Sequence, residues 1–463
     1  MTTETTKNGL RAEIAPMVRM ALPLVLAEIG WMAMGVEDTM FVGRVNAEAI
    51  GAVGLGTMLF YGIGIFGSGL LLGLDTLVSQ SFGAGDEDDC RHSLISGVWL
   101  SLFLIPIVMG LIWAIIPLLS AWGIDPGVML VTQPYLRVLN LSAPFLLLFF
   151  GFRRYLQAIN IVRPIMITLL TANLVNIFCN WVFVFGNLGA PRLGAEGAAL
   201  ATLGSRIFMA AVLAAIIWVN DPRLPHVTWK PDFSRVKELL RLGLPAATQM
   251  GLETGVFAVV TVLIGRLGAT ALAGHQIALQ TVSMTYMMPL GISSAAAVRV
   301  GHAIGRGDHE GMARAGWTAL GLGATVMSCA ALALLVLPYW IARLFTPEAD
   351  VIAAGVVLLR IAAFFQLFDG LQVVATGALR GAGDTRTPMV CHFTGYWVIG
   401  LPLGWWLCFR GVASSQQPVA SGGMGAPGLW IGLSVGLVVI GVVLVGVWRS
   451  KVRAYLKGIS TST

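Results

Sequence analysis

Gly83-Ala84-Gly85-Asp86 and Gly305-Arg306-Gly307-Asp308 stand 222 positions apart, each directly after a long apolar stretch. Shifting the chain by 222 superposes more than these two turns. Pro23 falls on Pro245, each in a Leu-Pro step near the start of an apolar run, Gly43-Arg44 falls on Gly265-Arg266, and Ala47 falls on Ala269. Leu136-Arg137 meets Leu359-Arg360 at a shift of 223, and Pro164 meets Pro388 at 224, the drift that short loop insertions produce. An ordered series of this kind is an internal repeat, with one copy in each half of the chain.

Each copy is built for lipid. Only 11% of the 463 residues are charged and 57% are hydrophobic, whereas a soluble domain carries about 25% charged residues. One crossing of the hydrocarbon needs roughly 20 predominantly apolar residues. Twelve stretches qualify: 15–38, 51–78, 94–118, 134–152, 164–186, 194–219, 239–263, 268–297, 315–340, 351–379, 388–409 and 428–448. They are continuously apolar, without the alternation of an outer-membrane barrel strand. The first contains Glu28, Glu37 and Asp38, which no signal-peptide core carries, so it is expected to be retained as a helix.

The expected fold is therefore an all-α membrane protein of twelve transmembrane helices in two six-helix bundles. Six crossings is an even number, so both bundles enter the membrane in one orientation, related by a pseudo-two-fold axis along the membrane normal. The expected boundaries are 15–220 for the first bundle and 239–450 for the second. A cytoplasmic linker over 221–238 contains Pro222, Pro225 and Pro231. Two bundles with a cleft between them suit alternating access, whereas a channel is more often a ring of identical subunits.

The formal charge of +6 is explained by topology rather than by nucleic acid. With the amino terminus placed in the cytoplasm, 21 Lys and Arg residues fall on the cytoplasmic side and 5 opposite. Both termini are expected to be cytoplasmic. The five cysteines, Cys90, Cys179, Cys329, Cys391 and Cys408, show no paired spacing, and the six histidines, His226 among them, are dispersed. A disulfide framework, a zinc site and a membrane-embedded metalloenzyme all lack their patterns.

Where the repeat fails is more informative. Glu253 lies opposite Trp31, Asp369 opposite Leu146 and Asp38 opposite Val260. An acid at mid-membrane costs at least about 2.5–3.5 kcal/mol on insertion scales, and one half of the fold does without each of these three. The structural alternatives are interfacial solvation for Asp38 and Glu37, a water-filled cavity or a polar partner for Glu28, and an ion pair with Arg137, Arg206 or Arg360 for the other two. The functional reading makes Glu253 and Asp369 the cation-coupling pair. Burial disfavours the charged form of a carboxyl, and carboxylate oxygens also suit a hard cation such as Na+. Either H+ or Na+ would compete there with a positively charged substrate, the simplest basis for antiport.

Gln249, Gln276, Gln280, Gln366 and Gln372 add neutral polar groups in the second half, and Tyr286, Met284, Met287 and Met288 add polarizable surface. Among these, Gln276, Gln280, Tyr286 and Met287 are the candidates for lining a substrate cavity. In the first half Asn173, Asn176 and Asn180 share one helix face. That face either bonds a neighbouring helix or forms a polar cavity wall, to which Asn176 and Asn180 would belong.

Several motifs carry a family resemblance. Gly73-Leu-Asp-Thr-Leu-Val-Ser-Gln-Ser-Phe-Gly-Ala-Gly-Asp86, Gly377-Ala-Leu-Arg-Gly-Ala-Gly-Asp-Thr-Arg-Thr-Pro388, Ala273-Gly-His-Gln-Ile-Ala278 and Val36-Glu-Asp-Thr39 resemble the signature segments of the multidrug and toxic compound extrusion family. The similarity runs from about 15 to 450. It implies a monomeric antiporter of the bacterial cytoplasmic (inner) membrane that exports cationic aromatic drugs and dyes in exchange for H+ or Na+, with no other cofactor. Glu253, Asp369 and Asp38 match the family's cation-coupling acids, and Na+ would sit at Glu253 and Asp369. Asn180 stands where another branch has an aspartate, so the resemblance is to the norfloxacin-exporter branch. A lipid-linked saccharide flippase of the same broader fold is the alternative, and its pyrophosphate cargo would require cavity arginines.

Overall fold

The computed structural model describes residues 2–119, 126–224, 227–410 and 423–458. Pro225 and His226, in the expected linker, lie outside the described residues. Among the described residues sixteen α-helices occur in chain order: α1 Thr2–Val42, α2 Ala47–Leu70, α3 Gly73–Ala84, α4 Glu87–Leu118, α5 Pro126–Asn140, α6 Ala143–Ala158, α7 Arg163–Phe185, α8 Ala195–Asn220, α9 Phe233–Gly265, α10 Ala269–Gly305, α11 His309–Val336, α12 Pro338–Phe345, α13 Ala349–Gly381, α14 Arg386–His392, α15 Leu401–Phe409 and α16 Ala426–Leu456.

Among the described residues, nine stretches are long and apolar enough to cross a membrane by themselves, and the pair α5–α6, bent by 46°, makes a tenth. Two further spans complete the twelve read from the sequence. The first is α10, 37 residues long but diluted by glutamine, histidine, serine and threonine. The second runs through α14, a π-helical segment Phe393–Gly400 and α15. Helices are the expected solution, since they satisfy every backbone group within the segment.

The repeated Gly-x-Gly-Asp has a mechanical reading. Gly85 (φ 80°) ends α3 in the left-handed region, and Asp86 then accepts a hydrogen bond from Asp89 N at 2.9 Å to cap α4. In the second half Gly307 has φ 70°, and Asp308 accepts from Gly311 N at 2.7 Å to cap α11. A third copy, Gly381-Ala382-Gly383-Asp384, does the same between α13 and α14: Gly383 has φ 79° and Asp384 accepts from Thr387 N at 3.1 Å. Glycine enters the left-handed region without steric cost. Aspartate then satisfies one of the orphan N–H groups of the next helix, so four residues stop one helix and start another.

The chain forms two compact units, Leu26–Ala247 and Met1–Val25 with Thr248–Thr463. In the first, α7 and α8 pack so closely that a Cβ on Gly197 would lie 2.5 Å from the Phe183 carbonyl. Arg153 of α6 is fully buried and ion-paired with Glu28 of α1, so Glu28 has a structural partner. Near the polar end, buried Arg91 is held by Glu87, Asp88 and Asp221.

In the other unit, α13 lies backbone-to-backbone on α10. A Cβ on Gly377 or Gly381 would stand 2.2 Å from the carbonyl oxygen of Ser293 or Ala297 respectively. This is small-xxx-small packing, which replaces the hydrophobic drive that is missing between helices in lipid. Lys451 of α16 reaches Asp384 at 2.8 Å. Burial opposes the charged form of Asp384, but Lys451 and the Thr387 hydrogen bonds outweigh it and hold the carboxyl below the ordinary carboxylate value.

Candidate functional site

The second half brings its polar residues to one place. Glu253 projects from mid-α9 and Asp369 from mid-α13, where it is 3% exposed. The two carboxyls interact electrostatically, and Glu253 is hydrogen-bonded by the side chains of Tyr286 and Gln372. Gln372, one turn beyond Asp369, donates from Nε2 to Asp369 Oδ1 at 3.2 Å. The other carboxyl oxygen, Asp369 Oδ2, is buried without a hydrogen-bond partner, as are Gln366 Oε1 and the Tyr396 hydroxyl.

Neither acid is paired with lysine or arginine among the described residues. The nearest basic group is His392 Nε2, 4.0 Å from Glu253 Oε2. Fully buried at the end of α14, His392 makes a 2.7 Å contact between Nδ1 and Pro388 O. A carbonyl can only accept, so Nδ1 carries a hydrogen. On its other side Nε2 lies 2.7 Å from Gln372 Oε1 and 3.4 Å from Gln249 Nε2. Trp397 completes this wall by donating to Leu252 O, beside Glu253, at 3.0 Å.

His392 and Tyr396 were not among the sequence candidates. The signal that could have found His392 is the broken repeat itself: under the 224 shift His392 lies opposite Thr168.

The cavity candidates divide. Tyr286 bonds Glu253, and Met287 is half-buried on the same helix. Gln276 and Gln280 are exposed, one turn apart, and with exposed Met284 they continue a single stripe along α10. They are separate from the hydrogen bonds around Glu253. Gln366 instead donates to Thr285 Oγ1 at 2.7 Å.

In the first half Asp38 is 7% exposed and fully engaged. Asn180 Nδ2 donates to Oδ1 at 2.7 Å, and Thr202 Oγ1 donates to Oδ2 at 2.7 Å. Asn180 also donates to Asn176 Oδ1 at 2.9 Å. Asn173 does something different, bonding Gly30 O of α1 at 3.0 Å. The asparagine face is therefore a helix-helix tie at one end and a carboxylate cradle at the other.

His275 of the Ala273–Ala278 segment is a clasp. Thr261 donates its hydroxyl to Phe257 O (2.8 Å), which leaves it to accept from His275 Nε2 (2.9 Å), while Trp430 Nε1 donates to His275 Nδ1 (3.1 Å). Every bond has one consistent direction, a neutral imidazole joining α9, α10 and α16. A separate hollow of about 630 Å³ near Asp89, Asp232, Arg235 and Arg241 contains none of the candidate residues.

Twelve spans in two repeated halves, with acids buried at mid-helix, define a polytopic membrane transporter rather than an enzyme. The chain belongs to the MatE family, whose model matches residues 23–182 and 245–406, one block per half. It is 36% identical over 461 residues to a probable multidrug resistance protein NorM of Mesorhizobium japonicum, covering 96% of each chain. Among solved structures it resembles the eukaryotic MATE transporter AtDTX14 (TM-score 0.84, 22% identity, 98% of this chain and 100% of that one). It resembles equally a MOP superfamily transporter from Pyrococcus furiosus whose binding pocket is described as having reverse polarity (TM-score 0.84, 20% identity, 98% and 99%). The fold is thus shared between pockets of opposite polarity, and cargo must be argued from side chains.

Proposed function

We propose that this protein is a multidrug efflux antiporter of the bacterial cytoplasmic membrane, with both termini in the cytoplasm, working by alternating access. It exports cationic aromatic drugs and dyes in exchange for H+ or Na+ bound at Glu253 and Asp369. The observation that carries this reading is a buried carboxyl, Asp369, beside a partly buried one, Glu253, neither with a lysine or arginine partner among the described residues and the first with an unbonded oxygen, Oδ2.

An uncompensated carboxylate inside a membrane is unstable. It must be neutralised, and a coupling ion or a cationic substrate can each do so, but not both at once. That exclusion couples export to the inward ion gradient. Gln372 and Tyr286 supply directional contacts for whichever species is bound. The exposed Gln276–Gln280–Met284 stripe is wasteful against lipid tails and suits contact with varied polar-aromatic cargo. Asp38, whose oxygens already accept hydrogen bonds, takes the lesser part. A pyrophosphate cargo, as in a saccharide flippase, would meet carboxyls here instead of arginines.

The test is dye efflux from liposomes containing the purified chain, under separately imposed H+ and Na+ gradients. Efflux should follow one of them. Efflux indifferent to both, yet saturable, would overturn the antiport reading.

A further inference from the structure

The repeat also breaks in charge, at the end of the second unit where α13 stops and α16 finishes. Arg386 at the start of α14 is opposite Val162 under the 224 shift. Gly194, Ala195 and Gly197 at the start of α8 match Gly425, Ala426 and Gly428 at the start of α16, which puts Trp218 opposite Arg449 and Pro222 opposite Arg453. The second half thus carries three arginines where the first has none.

The acids at this end are already engaged. Asp384 is held by Lys451 at 2.8 Å, and Asp308 and Glu310 pair with Arg314 at 3.7 and 3.3 Å. The ring of His309, between those two acids, lies 5.3 Å from that of Tyr455, which places the start of α11 beside the end of α16. No carboxylate is in ion-pair range of Arg386, Arg449 or Arg453 among the described residues. In the first unit, by contrast, Arg91 is held by Glu87, Asp88 and Asp221, and Arg235 by Asp89 and Glu238.

All three arginines are exposed, and each ends a bare apolar stripe. Val435, Val442, Gly446, Arg449 and Arg453 are spaced to share one face of α16, and every one is exposed. A Cβ on Gly446 would meet nothing within 4 Å, so this face has an open notch one turn before Arg449. On the preceding span Arg386, Val390 and Phe393 follow the same spacing, with Val390 54% and Phe393 50% exposed. Bare valine and phenylalanine in a span are solvated by acyl chains, and arginines at the end of such a stripe reach the headgroup layer. The two spans are antiparallel neighbours. A Cβ on Gly404 would stand 3.0 Å from Leu429 O, and Asp384 meets Lys451. Between those fixed points Arg386 falls level with Arg449, and Arg453 lies one turn beyond.

We propose that Arg386, Arg449 and Arg453 form a docking site for an anionic phospholipid, its phosphate shared among them and its acyl chains lying along the two stripes. Guanidinium groups match phosphate oxygens bidentately and shed water more readily than ammonium groups, which suits a headgroup layer. On the orientation proposed above, the leaflet is the cytoplasmic one. The lipid site is separate from Glu253 and Asp369, and it stands whether or not the chain is an antiporter.

Thermal melting of the full chain in a neutral detergent tests it. A ligand held only by the folded state raises the midpoint. Phosphatidylglycerol should do so by several degrees, and phosphatidylcholine or free glycerol phosphate should not. Arg386→Gln/Arg449→Gln/Arg453→Gln should lose most of that shift. Arg44→Gln/Arg192→Gln/Arg266→Gln, an equal charge change in turns at the opposite ends of their spans, should keep it. A full shift in the first triple, or equal losses in both, would overturn the docking site. Equal protection by phosphatidylcholine would remove the role of charge, and equal protection by glycerol phosphate would make this a free-anion site, each against the proposal. Native mass spectrometry of Arg449→Gln decides the matter even where the triple variant does not fold. It should retain fewer phosphatidylglycerol molecules than Arg44→Gln, and equal retention would count against the site.

Discussion

Gln372 Nε2 donates to Asp369 Oδ1 and leaves Oδ2, on the same carboxyl, buried and unbonded. One oxygen is thus held in place by the protein, and on the proposed reading the other meets the coupling ion. Glu253→Gln and Asp369→Asn should each reduce gradient-driven dye efflux to the level of empty liposomes, while melting temperatures stay near wild type because a buried carboxyl is replaced by its neutral isostere. Normal efflux by the double variant would remove the coupling chemistry from this half. Asp38→Asn, compared per folded molecule, should lose less than either.

His392 should act by holding Gln372. Its Nδ1 is committed to Pro388 O, so Nε2 is the face that meets the Gln372 amide. His392→Ala should weaken coupling several-fold while leaving the midpoint for dye binding, measured by fluorescence quenching without a gradient, nearly unchanged. Equal losses in both would make it a general structural residue. Magnitudes of this kind correspond to a coupling energy of about 1–3 kcal/mol.

The capping turns make a stability prediction. Asp86→Ala and Asp308→Ala each remove an acceptor for the first turn of the following helix, at a cost of about 1 kcal/mol. They share no partner, so their effects on denaturant midpoints should add. Strong non-additivity would show that the turns communicate.

Gly381→Leu should be far more damaging than either cap, because a side chain there meets the Ala297 carbonyl of α10. Gly321, against which a Cβ would meet nothing within 4 Å, should accept alanine without loss. Folded yield in detergent compares them, and equal tolerance would contradict the close α10–α13 packing.

Lys451→Met should act through pH. Asp384 has a folded-state value below its ordinary 3.8. Its contribution is therefore complete above that ordinary value and disappears as pH falls through the depressed one. Wild type should out-melt Lys451→Met by a constant margin at neutral pH, and the margin should close in the acid range below about pH 4. A margin that widens in acid would reverse the assignment.

Much of this was legible in the residues. Apolar composition and length placed the helices, and the Gly-x-Gly-Asp repeat marked turns whose geometry follows from glycine and aspartate chemistry alone. Breaks in the repeat pointed to Glu253, Asp369 and Asp38. Partners were less accessible, because pairing across helices depends on rotation about each axis, which spacing along one chain does not specify. Glu28 finds Arg153, 125 positions away. His392 looked like one of several scattered histidines near span ends, and only its burial against Gln249, Gln372 and Glu253 distinguishes it. The asparagines of α7 shared a face in the sequence, yet Asn173 and Asn180 serve different neighbours. Arg206 was visible as a charge in a span, but its partners Ser142 and Tyr61 were not.

The π-helical segment Phe393–Gly400 begins where His392 ends. A π turn carries surplus residues relative to the α geometry on either side. Expelling one of them would rotate one end of the span against the other by about 100° while leaving both ends helical. The π turn thus sets the angle at which the end of α14, with His392, faces Gln372, and a slip of one residue would re-aim that contact without unwinding the span.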